Sequence, residues 1–366
     1  MNNNRVSSKQ MISILALFLF GSMVISGSKE AGQDVWITII IGTLAAVPLL
    51  LCYARILKLF PSKGLFEIVT LIFGRIVGKI IIILYTFYTI QLGGFVIRTF
   101  SEFIKISAMP ETPQLTLQAL MILICIWMAK SGIECIGRVS RFALPLLVIV
   151  VVFTLIIFWN SIDLKNIQPV LGTDLKVIGK VSVIRAALPF CELILLASMF
   201  SSFEPGKSPS KAYLSAAAIA SGSFVVTNIR NVLILGTPAV NRYYFPSYEA
   251  VSVISLGEIF TRIEVLIGIS YTLAGTIKTG ICIYIAALGI SKISGYEDIR
   301  PFVAPSALIM LFIAGATAEN AKNFFDIQDY YPYFAMPFQL ILPVVILIAA
   351  EIKVRITKNQ TERNSE

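Results

Sequence analysis

The sequence has no histidine and little charge: 14% of its 366 residues are Asp, Glu, Lys or Arg, against roughly 25% in an ordinary soluble domain. Without histidine it cannot build a Ser-His-Asp or Cys-His triad, an HExxH zinc site or a Cys2His2 finger. Cysteine is scarce as well. Cys52, Cys125, Cys135, Cys191 and Cys282 are odd in number, widely spaced, free of any CxxC pair and mostly inside apolar runs. They read as small core residues, so neither a metal site nor a disulfide framework is expected. No long polar linker separates the apolar runs, and no alternating ten-residue strand pattern occurs, which excludes a disordered chain and a β-barrel.

What the chain does contain is apolar: 57% of its residues, with a mean hydropathy of +0.83. A soluble core does not need so much; ten membrane spans of about 20 residues each do. Ten apolar segments run near 11–28, 35–57, 76–104, 114–130, 141–159, 181–203, 212–236, 263–290, 302–318 and 333–351. They predict an all-α integral membrane protein with one domain over residues 1–352 and a short polar tail over 353–366. Lys29, Glu30 and Asp34 follow the first run without a small-x-small cleavage site, so it reads as a retained span.

The net charge of +9 is explained by topology and not by nucleic acid. With the N-terminus in the cytoplasm, the inner segments carry 18 Lys and Arg and the outer ones 8. That bias predicts both termini inside and an even number of spans. Two outer segments stand apart. Residues 160–180 are polar around Pro169-Val170-Leu171-Gly172. Residues 237–262 have a helical period but too dense a charge for a span, and read as a re-entrant or surface helix.

Two spans carry helix-breaking residues. The first contains Gly21, Ser22, Ser26 and Gly27 within seven residues, and a glycine costs about 1 kcal/mol in a helix relative to alanine. The sixth contains Ala186-Ala187-Leu188-Pro189-Phe190-Cys191-Glu192, where proline removes a backbone bond and clashes with the preceding turn. The first and sixth of ten spans correspond in two five-helix halves, and paired interruptions there point to an inverted-repeat transporter fold with a site at mid-membrane. Opened N–H groups favour a carboxylate and opened carbonyls an ammonium group, the two charges of an α-amino acid. Gly and Pro also pack or kink membrane helices without any ligand, and that alternative stands beside the first.

A charge at the bilayer centre costs roughly 2.5–3.5 kcal/mol on insertion scales. Arg98 and Glu102 share a helix face at i,i+4 and can pair, as a structural pair or as the lining of a polar path. Glu192, three residues after Pro189, is either a gate or ligand contact or repairs the helix break. Lys278, within Gly275-Thr276-Ile277-Lys278-Thr279-Gly280, either replaces a coupling sodium ion, pairs with a carboxylate, or snorkels. Its small neighbours allow close packing and leave room for a ligand. Arg185 reads as lying near a helix end and Arg230 as facing an aqueous cavity. Tyr85, Tyr88, Tyr243, Tyr244, Tyr330, Tyr331 and Tyr333 read mostly as interfacial aromatics.

The order of several segments resembles one family. These are Phe20-Gly21-Ser22, Asp34-Val35-Trp36-Ile37-Thr38, Pro61-Ser62 with Phe66-Glu67, Arg98 to Glu102, Gly137-Arg138-Val139-Ser140-Arg141, Pro169-Val170-Leu171-Gly172, and Phe245-Pro246-Ser247 continuing to Phe260-Thr261-Arg262-Ile263-Glu264. From about Ser8 to Ile352 the chain resembles the B subunit of bacterial spore germinant receptors, the endospore germination permeases of the amino acid–polyamine–organocation superfamily. Two departures are Gly21-Ser22-Met23 in place of a Gly-x-Gly, and a lysine at 278, a neutral position in the family. The resemblance implies ten helices in an inverted 5+5 repeat similar to the LeuT-like amino acid transporter fold, in the inner membrane of the dormant spore. It implies a nutrient sensor that binds an amino acid or related germinant, acts with A and C subunits and needs no cofactor. Carried onto this chain, the ligand would meet Gly21, Ser22, Ser26 and Gly27 in span one, Ala187, Pro189, Phe190 and Glu192 in span six, and Lys278 in span eight. Arg98 and Glu102 would belong to a polar path. The alternative is a secondary active amino acid transporter. An enzyme is not expected, because no zinc-ligand set, aspartate pair or Ser–Lys dyad is laid out across the spans.

Overall fold

The computed structural model describes residues 5–22, 30–253, 262–328 and 330–363. Among them the elements are α1 (Ser8–Phe20), α2 (Val35–Leu59), α3 (Leu65–Ser107), α4 (Gln114–Lys130), α5 (Gly132–Ile157), α6 (Leu175–Ala187), a 3₁₀ helix (Phe190–Ser202), α7 (Pro209–Leu235), α8 (Thr237–Val240), α9 (Pro246–Ser252), α10 (Glu264–Ser294), α11 (Arg300–Ala316), α12 (Ala321–Gln328), α13 (Tyr331–Met336), a π-helical turn (Pro337–Ile341) and α14 (Leu342–Arg363). Each of the ten apolar segments falls on one or more of these helices. Seven helices are long and apolar enough to cross a membrane; α11 and α12, bent by 108°, make an eighth candidate, and α1 and α4 are apolar but shorter. The polar tail begins as helix, since α14 continues to Arg363.

Burial follows the pattern of apolar residues around each helix. From Ser13 to Phe20, α1 is buried on every side, as expected of a helix apolar all round. The 3₁₀ helix is buried without interruption from Phe190 to Phe200. These two broken elements lie at the centre. Around them, α10 packs along α3, α2 packs on both α6 and α7, and α1 rests on α5, α7 and α10. Outer helices show apolar side chains to the surroundings, with Leu44 65%, Trp127 68%, Phe142 79% and Phe312 74% exposed. Such faces suit lipid and not water. The protein is therefore a multi-pass membrane protein.

Local chemistry sets the element ends. Ser7 caps α1, accepting from the Gln10 N–H while Gln10 reaches back to the Ser7 N–H. Gly74 interrupts α3 with a φ of 78°, a backbone shape that favours glycine, and the apolar segment predicted from residue 76 begins just after it. The loop after α5 is held by Asp34, fully buried before α2, whose carboxylate accepts the Leu171 N–H at 2.8 Å and the Thr173 N–H at 2.9 Å. The two sequence segments around Asp34 and Pro169–Gly172 thus meet as one structural strap. Between α8 and α10, α9 is seated on α7 and α10 with Pro246, Ser247, Ala250 and Val251 buried. The expected helix around Leu256–Phe260 lies outside the described residues.

The Val6 N–H donates to Ser202 O at 2.8 Å and the Glu204 N–H to Val6 O at 3.1 Å, joining the start of α1 to the end of the 3₁₀ helix. At their other ends Ser22 and Glu192 share one lysine, described below. The two broken spans therefore lie side by side in opposite directions, as an inverted repeat requires.

Candidate functional site

Both helices end where an interruption is expected. α1 stops at Phe20, where the Gly21 N–H bonds back to Leu17 O and the Ser22 N–H to Leu19 O. α6 stops at Ala187, and after Leu188 and Pro189 the chain resumes as the 3₁₀ helix. The open end of α1 presents carbonyls with partial negative charge; the start of the 3₁₀ helix presents N–H groups with partial positive charge.

Each end faces the charge it favours. The Lys278 ammonium of α10 lies by the end of α1, donating to Ser22 Oγ at 2.5 Å and sitting 4.6 Å from the centre of the Phe18 ring. Glu192 lies in the first turn of the 3₁₀ helix, and its Oε2 is 2.6 Å from Lys278 Nζ. Both side chains are at most 1% exposed. Of the readings open for Lys278, pairing with a carboxylate is the observed one, and Glu192 receives a side chain instead of freed backbone N–H groups.

A directed chain of hydrogen bonds ends on the same carboxylate. Gln339 of the π-helical turn donates its amide N–H to Tyr88 Oη at 2.7 Å, the Tyr88 hydroxyl then donates to Tyr331 Oη at 2.8 Å, and the Tyr331 hydroxyl donates to Glu192 Oε1 at 3.1 Å. Tyr85 donates to Phe338 O at 3.1 Å, and Tyr53 to Gln339 O, so tyrosine hydroxyls take up carbonyls of the irregular turn. Tyr85, Tyr88 and Tyr331 are thus buried network members, which corrects their reading as interfacial aromatics; Tyr330 and Tyr333 remain exposed. Tyr331 carries no sign of this in the sequence, because it lies two residues before the apolar segment at 333–351, where a tyrosine normally marks the interface. Tyr88 carried a usable signal: it lies twelve residues inside a predicted span, too deep for an interfacial belt.

The ion pair borders a small cavity of about 30 Å³, with Gly21 and Ser22 on one side, Leu92, Phe95 and Val96 of α3 on another, and Tyr331 beyond Glu192. That space holds on the order of two waters. Of the expected ligand residues, Gly21, Ser22, Glu192 and Lys278 are brought together here, and Leu188 joins them. Ala187, Pro189 and Phe190 form the break without lining this cavity; Phe190 instead meets the Phe224 ring at 6.2 Å. Ser26 and Gly27 lie outside the described residues. Arg98 and Glu102 pair with each other at 2.8 Å, and Arg98 also donates to Ala314 O at 3.3 Å. They do not line the cavity, although Thr99 between them does. Arg185 lies in the last turn of α6 beside Gly42 of α2.

The glycines near Lys278 serve packing. A Cβ at Gly275 would collide with the Phe100 ring, and one at Gly280 with Met128. Gly21 has a more direct role, because a Cβ there would lie 2.7 Å from both Cβ and Cδ of Lys278. The lysine stem reaches Ser22 and Glu192 only because residue 21 has no side chain.

Comparison with known proteins agrees with this architecture. A family model described as spore germination protein matches residues 5–322. Spore germination protein KB of Bacillus subtilis (strain 168) is 25% identical over 356 residues, covering 96% of this chain and 95% of its own length. Among solved structures, the nucleobase-cation-symport-1 family transporter Mhp1, closed with bromovinylhydantoin bound, aligns with a TM-score of 0.69 at 14% identity over 93% of this chain and 77% of its own. MhsT in complex with L-phenylalanine aligns with a TM-score of 0.64 at 14% identity over 90% of this chain and 87% of its own. These two likenesses establish the LeuT-like fold.

Proposed function

Since the chain belongs to the spore germination protein family, we propose that it is the membrane subunit of a spore germinant receptor. It binds a nutrient, a neutral amino acid, at the Gly21–Glu192–Lys278 site, and partner A and C subunits read the resulting change of shape. Its place is the spore inner membrane with both termini in the cytoplasm, and it makes or breaks no bond in the ligand.

The observation that carries this reading is the buried Glu192–Lys278 pair at two helix breaks. A zwitterion matches it with opposite polarity. The ligand ammonium takes Glu192 and the ligand carboxylate takes Lys278, so one ion pair becomes two without any charge left alone in low dielectric. A ligand bearing one charge leaves one partner unpaired. Leu92, Phe95 and Val96 supply an apolar wall for the side chain. The structural neighbour MhsT, crystallised with L-phenylalanine, supports the choice of ligand class.

Binding requires a change of shape. The cavity beside the pair has room for only about two waters, so the α1 end, the 3₁₀ helix and α10 must separate to admit an amino acid. A ligand moves such an equilibrium only by preferring one state, and the zwitterion prefers the state in which the internal pair is parted. Dormant spores have little energy, which suits a switch driven by binding alone.

The test is nutrient-triggered germination of spores lacking this chain, across amino acids, sugars and nucleosides. Selective loss of the response to one or a few amino acids is expected. An unchanged profile overturns the receptor reading. The same fold serves secondary transporters, so the second measurement is uptake: gradient-driven accumulation of labelled amino acid in proteoliposomes would replace the sensor with a transporter.

A further inference from the structure

Arg230 is the largest of the fully buried side chains, at 1% exposure. Unlike Arg98 and Lys278, the other two buried cations among the described residues, it has no carboxylate partner among them. Its guanidinium donates only to neutral acceptors: Thr154 Oγ1 at 2.6 Å, Asn231 Oδ1 at 2.8 and 3.3 Å, and Ser247 O at 3.4 Å. A guanidinium stays charged, and a buried charge without a counter-charge is costly.

Beside it lies a second cavity of about 20 Å³, bounded by Arg230 and Thr227 of α7, Ser247 of α9, Ser270 and Tyr271 of α10, and Phe20 at the end of α1. Thr227, 2% exposed, lines this space, and its buried hydroxyl has no hydrogen-bond partner among the described residues. A fixed positive charge, an idle hydroxyl and room for about one water-sized species thus converge at one point.

We infer that this cavity is a binding site for a small monovalent anion, held by the Arg230 guanidinium and the Thr227 hydroxyl. The anion supplies the missing counter-charge and ties α5, α7, α9 and α10 together over the end of α1. The site is separate from the nutrient cavity but adjoins it. Phe20 and Ala274 border one cavity, and Gly21 and Lys278 the other. The single charge and the small volume fit an inorganic halide.

The test uses the full chain in lipid nanodiscs without nutrient, so that it stands whether or not the receptor reading does. In a gluconate background at constant ionic strength, chloride is titrated while thermal unfolding is followed, with acetate in parallel as an anion too large for the cavity. A saturable rise in unfolding temperature with chloride and none with acetate is expected; an equal rise with acetate overturns the small-anion site. Arg230→Gln should abolish the rise. Thr227→Val, which keeps the arginine and the shape, should raise the half-saturating concentration about fivefold, the loss of one hydrogen bond. No saturable rise in the wild type overturns the proposal, as does an unaltered half-saturation in Thr227→Val, the deciding variant if Arg230→Gln fails to fold.

Discussion

Two buried ion pairs of similar length do different work in this molecule. Arg98 and Glu102 are four residues apart on α3, 2.8 Å from each other, and belong to one rigid element. Glu192 and Lys278 are 86 residues apart, 2.6 Å from each other, and lock the 3₁₀ helix to α10, with Ser22 after α1 and Tyr331 of α13 attached. The first pair can ride through any helix movement unchanged. The second cannot survive separation of the broken helices, so its opening is a conformational event. Under the proposed function, a ligand that replaces the lost partners is what permits that event.

The widest gap between the pairs should appear when one partner of the mobile pair is removed. Lys278→Met leaves the Glu192 carboxylate buried without a cation, at a cost of about 3–5 kcal/mol. The double variant Lys278→Met with Glu192→Gln removes both charges and should regain most of that stability, read as thermal unfolding in nanodiscs. It should not regain the nutrient response of spores. Recovery of a normal dose–response in the double variant would show that the charges do not recognise the ligand.

Smaller changes sharpen the same contrast. Tyr331→Phe deletes the hydrogen bond to the Glu192 carboxylate, about 1.5–3 kcal/mol, and the one accepted from Tyr88, about 0.5–1.5 kcal/mol. It should lower the unfolding temperature and alter nutrient sensitivity without abolishing it. Gly21→Ala inserts a methyl group 2.7 Å from the Lys278 stem. Overpacking of that kind costs about 1–3 kcal/mol and should move the nutrient dose–response to higher concentration. If the dose–response is unmoved in both variants, the nutrient binds elsewhere.

The same local versus long-range distinction explains what could be read from the sequence. Helix breaks are local effects of Gly and Pro, and the expected interruptions at Gly21 and Pro189 are where α1 and α6 end. The Arg98–Glu102 pair follows from i,i+4 spacing alone. Glu192 and Lys278 were each visible as charges in apolar segments, but nothing along the chain pairs residues so far apart. The network through Tyr88, Tyr331 and Gln339 was hidden because tyrosine is common at membrane interfaces, and a π-helical turn has no clear sequence mark. Glycines around Lys278 suggested ligand space, whereas Phe100 and Met128 fill it. Small residues admit either use, and only the facing helix decides between them.

The smallest expected effect comes from exchanging the charges of the local pair. Arg98→Glu with Glu102→Arg keeps opposite charges at i,i+4 on the same face of α3, so the ion pair itself should re-form. What is lost is specific to the original order: the Arg98 hydrogen bond to Ala314 O and its position 5.8 Å from the centre of the Phe324 ring. Together these amount to about 1–2 kcal/mol. The same exchange at Glu192 and Lys278 places a cation at the start of the 3₁₀ helix and an anion at the end of α1, each against its helix dipole. Spores with the first exchange should germinate with near-normal nutrient sensitivity, and spores with the second should not respond. Equal tolerance of the two exchanges would mean that the polarity of the broken helices does not set the site. Equal loss would place Arg98 and Glu102 within the switch rather than beside it.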